Sequence, residues 1–222
     1  MGLLDLIFPK ICVGCGSLGE YICAECINKL PEVKYQKCPM CEGRSVTGKT
    51  HKRCEKALGM DGLVGVFRFS GVMRKMISKY KFSYVSDLVG DLSEAMISFG
   101  DMEILAKKNF TLVTGVPLHK SRQKERGFNQ SSLIAEKVAD YLSIPFDENV
   151  LKRVKNTKIQ SGLVRKERMK NIRGAFELVE DVKGKKVLLV DDVWTTGSTM
   201  RECVKVMKKN GAREVWGLVL AM

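Results

Sequence analysis

The sequence lacks any apolar run long enough to cross a membrane, and its apolar N-terminal stretch is interrupted by Asp5 with no basic region before it. These absences argue against a membrane-spanning helix and a secretory signal peptide, so a cytoplasmic protein without membrane insertion is expected. Internal repeats and low-complexity linkers are also missing. With 222 residues, 45% hydrophobic and 28% charged, the composition is typical of a soluble globular protein.

Acidic residues are scarce in two segments of this chain, whose net charge is +13. Residues 152–173 hold nine Lys and Arg against one acid, Glu167, and residues 68–81 hold five basic residues and no acid. Such fields attract polyanions, and basic charge beside aromatic rings suits single-stranded DNA, although a plain solvated surface is the alternative. The aromatic residues around the first basic segment are Phe67, Phe69, Tyr80 and Phe82.

Cysteine is almost absent outside residues 12–54, which contain seven of the eight cysteines. Six of them form three Cys-x-x-Cys pairs, and Cys54 follows His51 at the same spacing. The two-residue gap lets both side chains of a turn bind one metal, and reduced cytoplasmic thiols favour metal over disulfides. One or two structural Zn²⁺ ions are therefore predicted. The candidate ligands are Cys12, Cys15, Cys23, Cys26, Cys38, Cys41, His51 and Cys54.

The spacing alone leaves the pairing of these ligands open. Pairing of neighbours is favoured because the gap between Cys15 and Cys23 suits a short hairpin. Interleaved pairing, a single occupied zinc site and a redox role are the alternatives, and His51 is the weakest candidate ligand. Cys203 differs, because helical spacing predicts that it is buried together with three neighbours. These neighbours are Met200, Val204 and Met207.

Beyond residue 58, apolar strands alternate with amphipathic helices, which predicts an α/β fold with a mostly parallel sheet and helices on both faces. A double zinc-ribbon module at 1–58 and a second domain at 59–222 are expected. The helix that begins near Asn129 should bury Ile134, Val138 and Tyr141. The predicted strands are 63–69, 112–116, 150–154, 187–190 and 215–220, and the other predicted helices are 72–80, 87–98 after a Ser86 cap, and 199–210.

The stretch from Val187 to Thr199 carries the strongest functional signal. A buried strand is followed by Asp191 and Asp192, at the carboxyl end where open α/β sheets bind ligands. A loop rich in hydroxyls then leads into a helix whose N-terminus favours phosphate, so the pattern suggests a ribose 5-phosphate site. The alternative is a plain strand–turn–helix with a capping hydroxyl. The loop residues are Thr195, Thr196, Gly197, Ser198 and Thr199.

This stretch resembles the phosphoribosyl-pyrophosphate (PRPP) motif of type I phosphoribosyltransferases. The resemblance implies that Asp191 and Asp192 hold the ribose hydroxyls and, through waters, Mg²⁺, while the loop binds the 5-phosphate. Two basic loops should bring further ligands to PRPP. The first holds His119, Lys120, Arg122, Lys124 and Arg126. The second, which begins at Arg153, is a candidate lid with Thr157, Gln160, Arg168, Asn171 and Arg173.

Several motifs together are similar to the competence protein F (ComF) family over essentially the whole chain. They are Pro117-Leu-His, Glu125-Arg-Gly-Phe-Asn-Gln130, Thr157-x-x-Gln160, Arg168-x-x-Asn171 and the PRPP motif, all behind the Cys pairs. The resemblance implies a type I phosphoribosyltransferase fold preceded by a small zinc-ribbon domain. It also implies a part in DNA uptake during natural transformation, on incoming single-stranded DNA and with competence partners such as a DNA translocase.

Three functions are compatible with these features. The first is a PRPP-binding protein that handles single-stranded DNA, and the second is a phosphoribosyltransferase with an unidentified acceptor. The third, a zinc-ribbon adaptor, leaves the PRPP motif unused. His119 could bind pyrophosphate, donate to the sheet edge or be a plain loop residue. No N-terminal glutaminase nucleophile is visible, since residue 2 is Gly.

Overall fold

The computed structural model describes residues 9–82, 87–156 and 170–222, which form eight strands and seven α-helices. A 3₁₀ turn also covers Lys52–Cys54. The strands are β1 (Gln36–Lys37), β2 (Arg44–Ser45), β3 (Gly62–Phe67), β4 (Leu112–Gly115), β5 (Leu151–Arg153), β6 (Phe176–Leu178), β7 (Lys186–Val193) and β8 (Glu214–Ala221). The helices are α1 (Ala24–Asn28), α2 (Gly71–Phe82), α3 (Asp87–Phe99), α4 (Met102–Ala106), α5 (Lys120–Arg126), α6 (Gln130–Leu142) and α7 (Ser198–Lys209).

The core is a four-stranded parallel sheet with the order β3–β8–β7–β4. Its two central strands, β7 and β8, are buried over most of their length, as expected for apolar runs covered on both faces. Their register places Leu188 beside Val113 on one side and Trp216 on the other. The predicted parallel-sheet fold class is confirmed.

Helices cover both faces of this sheet because successive strand side chains point in opposite directions. Leu188 and Val190 belong to a hydrophobic cluster with α2, α3 and α6. Val187 and Leu189 belong to a second cluster with α7 and the β5–β6 hairpin. The ligand edge at the end of β7 thus lies between α6 on one face and α7 on the other.

The outer edge of β3 is covered by the N-terminal sixty residues. The Val33 N–H donates to the Val66 carbonyl at 2.8 Å, and the Leu63 N–H donates to the Gly48 carbonyl at 2.9 Å. The Gln36 side chain also bonds both the N–H and the carbonyl of Gly65. Backbone groups that an edge strand would otherwise expose are therefore paired.

The structure corrects two details of the sequence-based prediction. Tyr141 is 58% exposed, and the buried side of α6 is formed instead by Ile134, Val138 and two small alanines. The segment after Pro117, expected to be a loop, contains the short helix α5. The proposed Ser86 cap lies outside the described residues. Cys203 is buried in α7 as predicted. Among the described helices, none is both long and apolar enough to span a bilayer.

Candidate functional site

The acidic pair lies at the carboxyl end of β7, which continues through both residues to Val193 instead of ending before them. The Ser131 hydroxyl donates to Asp191 Oδ1 at 2.9 Å, and the Asp192 N–H donates to the same oxygen at 2.9 Å. Asp192 itself is buried. These bonds hold the Asp191 carboxylate in one orientation, as a binding site for hydroxyls requires.

Sequence reasoning missed Ser131, which stands at the start of α6. Asn129 caps this helix by accepting a bond from the Ser131 N–H at 3.3 Å, and its amide donates to the Val116 carbonyl at 3.1 Å. The cap therefore ties the first turn of α6 to the end of β4 and presents Ser131 to β7. The Asn129 helix start was predictable, but the partner of Ser131 was not.

The phosphate-type loop between β7 and α7 borders a small open cleft, lined by Asp191, Val193 and residues 194–200. Gly197 has φ +66° and immediately precedes the first residue of α7. The Thr196 and Ser198 hydroxyls lie 3.0 Å apart. The loop thus combines hydroxyls with the positive end of a twelve-residue helix, which favours an anion. Within it, Thr195 is exposed and Thr199 half-buried.

Arg153 interacts electrostatically with both Asp191 and Arg122, and Arg122 interacts in turn with Arg126. Burial is the main cause that lowers the pKa of Arg153, the Arg122 charge lowers it further, and Asp191 opposes the change. Burial and the Arg126 charge lower the pKa of Arg122, whereas Glu125 opposes this. Because like charges repel, an anion bound among these guanidinium groups would be stabilised.

The local backbone structure brings the segments that carry Arg122 and Arg153 together. His119 and Arg153 form a parallel bridge, which places the start of α5 beside β5. His119 Nδ1 accepts a bond from the Ser121 N–H at 3.3 Å, so this nitrogen is unprotonated and caps α5. Lys120 is exposed at the first position of that helix. His119 therefore has a structural role, in addition to any contact with a ligand.

The second basic loop is described only in part. Arg168, Thr157 and Gln160 lie outside the described residues. Asn171 is half-buried and Arg173 is exposed. Arg153, at which the candidate lid was predicted to begin, is the last residue of β5 and interacts electrostatically with Asp191 and Arg122. Its burial was not visible in a charge count.

The eight metal-ligand candidates form two clusters, each made of neighbouring pairs, and in each cluster the ligand atoms lie within 4.8 Å of one another. The Cys23 sulfur lies 3.7 Å from the sulfurs of both Cys12 and Cys15. Tetrahedral zinc with Zn–S bonds of about 2.3 Å would place its sulfurs about 3.8 Å apart, so the spacing fits zinc. The clusters are Cys12, Cys15, Cys23, Cys26 and Cys38, Cys41, His51, Cys54.

His51 has the tautomer that a zinc ligand needs. Its Nε2 lies 2.9 Å from the Arg44 carbonyl, which can only accept a hydrogen bond, so Nε2 carries the proton. The unprotonated Nδ1 lies 3.4 Å from the Cys41 sulfur. Such outer hydrogen bonds orient metal-binding histidines, so the residue that was the weakest candidate in the sequence fits its cluster well.

Each cluster contains a thiol whose pKa is clearly lowered, and in the first cluster the pKa of Cys15 is lowered together with that of Cys12. Burial raises the pKa of the Cys12 thiol, but N–H groups of Cys15, Cys23 and Gly14 outweigh it and lower the pKa to about 6. Burial likewise raises the pKa of Cys38, but N–H groups of His51, Cys41 and Met40 lower it to about 7. Because zinc binds thiolates, these bonds favour the metal-binding form.

Comparison with known proteins agrees with this arrangement. Residues 3–58 match the family described as double zinc ribbon domain, and residues 129–221 match the phosphoribosyl transferase domain. Over 96% of its length the chain is 31% identical to DNA utilization protein YhgH of Escherichia coli (strain K12), of which it covers 98%. The chain belongs to the ComF family.

Two further members of the ComF family show similarity over different lengths. Competence protein F of Haemophilus influenzae is 44% identical over 111 residues, so that the match spans 48% of this chain and about half, 48%, of that relative. Competence protein ComFC of Bacillus subtilis is 28% identical over 204 residues, which cover 86% of this chain and 80% of the relative.

In this ComF-family chain, the first basic segment, residues 68–81, lacks part of the exposed aromatic surface that was expected beside it. Arg68, Arg74 and Lys75 are exposed near the start of α2. Phe67, however, is completely buried, and its ring packs 5.5 Å from that of Phe99. Its expected availability for bases is therefore wrong, because it belongs to β3 and the core. Phe69 is half-buried, and the side chains of Tyr80 and Phe82 lie outside the described residues.

Proposed function

We propose that this chain binds PRPP, or a ribose 5-phosphate group, at the end of β7 and acts in DNA uptake and use by handling single-stranded DNA. The observation that carries the first part is the placement of opposite charges at one edge of the sheet. Asp191 borders the cleft of the phosphate-type loop, Asp192 is its neighbour on β7, and Arg153 interacts electrostatically with both Asp191 and Arg122.

Each part of this arrangement corresponds to one part of the ligand. The loop at residues 195–199 would bind the 5-phosphate through hydroxyls and the N-terminus of α7. The Asp191 and Asp192 oxygens would accept bonds from the ribose hydroxyls. The guanidinium groups of Arg122, Arg126 and Arg153 would bind the pyrophosphate, because they bring positive charge to the edge of the sheet at which Asp191 lies.

Paired carboxylate oxygens also fit Mg²⁺, a hard cation that binds to one or two carboxylates together with substrate phosphates. When bound with PRPP, Mg²⁺ would neutralise part of the pyrophosphate charge. Asp191 and Asp192 are the residues that would hold it at this site. The bond from Ser131 then orients the Asp191 carboxylate.

Transfer of the phosphoribosyl group to an acceptor is the second candidate function, favoured by the same separation of charge. Breaking the bond between ribose C1 and pyrophosphate creates positive character on the sugar and negative charge on the leaving group. Asp191 and Asp192 would stabilise the first charge, and Arg153 with Arg122 the second. The fold itself serves both enzymes and binding proteins, so it does not decide between them.

The proposed role with DNA rests on two supports. The relatives are named for competence and for DNA utilization. The exposed charges of Arg68, Arg74 and Lys75 form a basic surface at the start of α2. A basic surface binds phosphates without sequence preference, which suits a protein that handles incoming single strands.

Calorimetric titration with PRPP and Mg²⁺ tests the binding site. The paired variant Asp191→Asn with Asp192→Asn should bind more than about a hundredfold more weakly, since bonds to charged groups contribute about 1.5–3 kcal/mol each. Asp181→Asn is the matched control, because this exposed carboxylate lies in a turn and accepts a bond from the Lys183 N–H. Equal affinity of the paired variant and wild type would refute the site. Pyrophosphate release, with and without single-stranded DNA or candidate bases, separates binding from catalysis.

A further inference from the structure

The Arg201 side chain of α7 joins the second zinc cluster to the phosphate loop. Its Nε and Nη2 atoms both donate to the Pro39 carbonyl, at 2.9 and 2.6 Å. Pro39 lies between the candidate zinc ligands Cys38 and Cys41. The guanidinium group therefore hydrogen-bonds to the turn of the chain that brings these two sulfurs together.

The other side of the same guanidinium group holds the phosphate loop. Arg201 Nη1 donates to the Thr196 carbonyl at 2.8 Å, one residue before Gly197. The guanidinium carbon also lies 4.9 Å from the centre of the Trp194 ring, in a cation–π contact. Two residues of the loop are thus positioned by an arginine whose other bonds are made to the zinc cluster.

The turn to which Arg201 binds is stabilised by backbone hydrogen bonds of Cys38, which is itself a candidate zinc ligand. The Glu42 N–H donates to the Cys38 carbonyl at 2.8 Å, and the Cys38 N–H donates to the Gly43 carbonyl at 2.8 Å. The Glu42 carboxylate lies 3.5 Å from Arg201 Nη2. Because the guanidinium fork is planar and rigid, a shift of the Pro39 carbonyl would be transmitted to Thr196.

The first zinc cluster has a different environment. Cys26 and its neighbour Ile27 pack in the hydrophobic cluster of α2, α3 and α6, on the opposite face of the sheet from α7. It therefore provides an internal comparison of the same chemistry, a zinc-binding cluster of neighbouring pairs, away from the phosphate loop.

We propose that Arg201 is a positioning residue through which zinc at the second cluster sets the shape of the phosphate loop. Zinc binding there and phosphoribosyl binding then stabilise each other, whereas zinc at the first cluster has no such effect. This inference rests on the proposed PRPP site. By thermodynamic reciprocity, PRPP must raise the zinc affinity by the same factor by which zinc raises the PRPP affinity.

Two matched pairs of variants of the full chain test the coupling. Arg201→Lys keeps the charge and the helix but loses the fork, and Arg213→Lys makes the same change at an exposed position after α7. Cys41→Ala and Cys15→Ala each remove one exposed thiol, from the second and the first cluster respectively. The Arg201 variant retains all eight zinc ligands, so it tests the coupling even where a cysteine variant does not fold.

Two equilibrium measurements are needed: PRPP affinity by calorimetry with Mg²⁺, and zinc affinity by competition with a chromophoric zinc chelator. Arg201→Lys and Cys41→Ala should weaken PRPP binding about fivefold or more, and the controls should match wild type. PRPP should raise the affinity for one of the two zinc ions by a similar factor, and this increase should be lost in Arg201→Lys.

The outcomes separate the two proposals. Wild-type protein that binds no PRPP would refute the proposed function, and the coupling with it. Wild-type protein that binds PRPP, with equal affinity in Arg201→Lys and no effect of PRPP on zinc, would refute the coupling alone. An equal loss in Cys15→Ala and Cys41→Ala would also overturn it, because the effect would then not pass through Arg201.

Discussion

Replacement of Gly197 by alanine should damage the phosphate loop through two separable effects. Gly197 has φ +66°, a left-handed conformation that side chains disfavour. An added Cβ would also overlap the six-membered ring of the Trp194 indole, which is only 6% exposed and cannot move outward freely. The substitution therefore combines backbone strain with overpacking.

The two effects can be given magnitudes from the structure. A left-handed alanine costs about 1–2 kcal/mol, and overpacking of a buried site costs about 1–3 kcal/mol. Gly197→Ala should thus lower the free energy of unfolding by about 2–5 kcal/mol. Gly184 is the matched control, because its φ is +72° and no atom lies within 4 Å of an added Cβ. Gly184→Ala should cost only the backbone part, about 1–2 kcal/mol.

Urea unfolding of the zinc-loaded chain, followed by far-ultraviolet circular dichroism, measures the difference between the two variants. A second test repeats Gly197→Ala in a Trp194→Leu background, which removes the overlapping ring atoms. There the cost should fall to that of Gly184→Ala, as in a double-mutant cycle. If both glycine variants lose the same stability in the wild-type background, Trp194 does not constrain the loop and the reasoning fails.

Three further predictions concern the candidate sites. Ser131→Ala should lower the free energy of unfolding by about 1.5–3 kcal/mol, because Asp191 loses a charged hydrogen bond, and should weaken PRPP binding by a smaller amount, because the carboxylate is then less well oriented. Calorimetry with Ser93→Ala as control, which loses a hydroxyl bond to the Val89 carbonyl in α3, would show equal PRPP affinity in both variants if the bond is unimportant. Metal analysis of protein purified without chelators should find two zinc ions per chain, and protein without zinc would contradict both clusters. Single-stranded DNA should bind less tightly as the salt concentration rises, as measured by fluorescence anisotropy. If Lys75 contacts a phosphate, the slope of log affinity against log salt concentration should be smaller by about 0.7 in Lys75→Gln. An unchanged slope would exclude this contact.

Local patterns explain why much of the fold was predictable from the sequence. The apolar run before Asp191 specified a doubly buried strand, and helical spacing placed Cys203 in the core. The Cys-x-x-Cys spacing predicted the pairs of candidate zinc ligands. The short connection from Cys15 to Cys23 favoured clusters made of neighbouring pairs, which are the clusters that the structure contains. In these cases the decisive interactions lie within a few residues or one element.

The remaining features depend on contacts between distant parts of the chain. The bond from Ser131 to Asp191 joins residues 60 positions apart, and that from Arg201 to Pro39 joins residues 162 positions apart. In the sequence Arg201 is one more basic residue of an amphipathic helix. The prediction that Tyr141 is buried was wrong for a related reason. Helical spacing predicts which face of the helix is apolar, but not how much of that face the neighbouring elements cover.

The contacts around β3 give the zinc clusters a role in the stability of the sheet itself. A parallel sheet needs cover at its edges, and β3 obtains it from the segments around Val33, Gln36 and Gly48. Segments this short cannot hold an extended shape alone, and they flank β1 and β2, between which Cys38 and Cys41 lie. Zinc binding supplies folding free energy directly. Zinc in the second cluster would therefore order the segments that cover the edge of β3. Through Arg201, it would also order the phosphate loop that precedes α7. The N-terminal sixty residues are therefore part of the framework of the sheet, and their sequence should be constrained by the edge of β3 as much as by the metal.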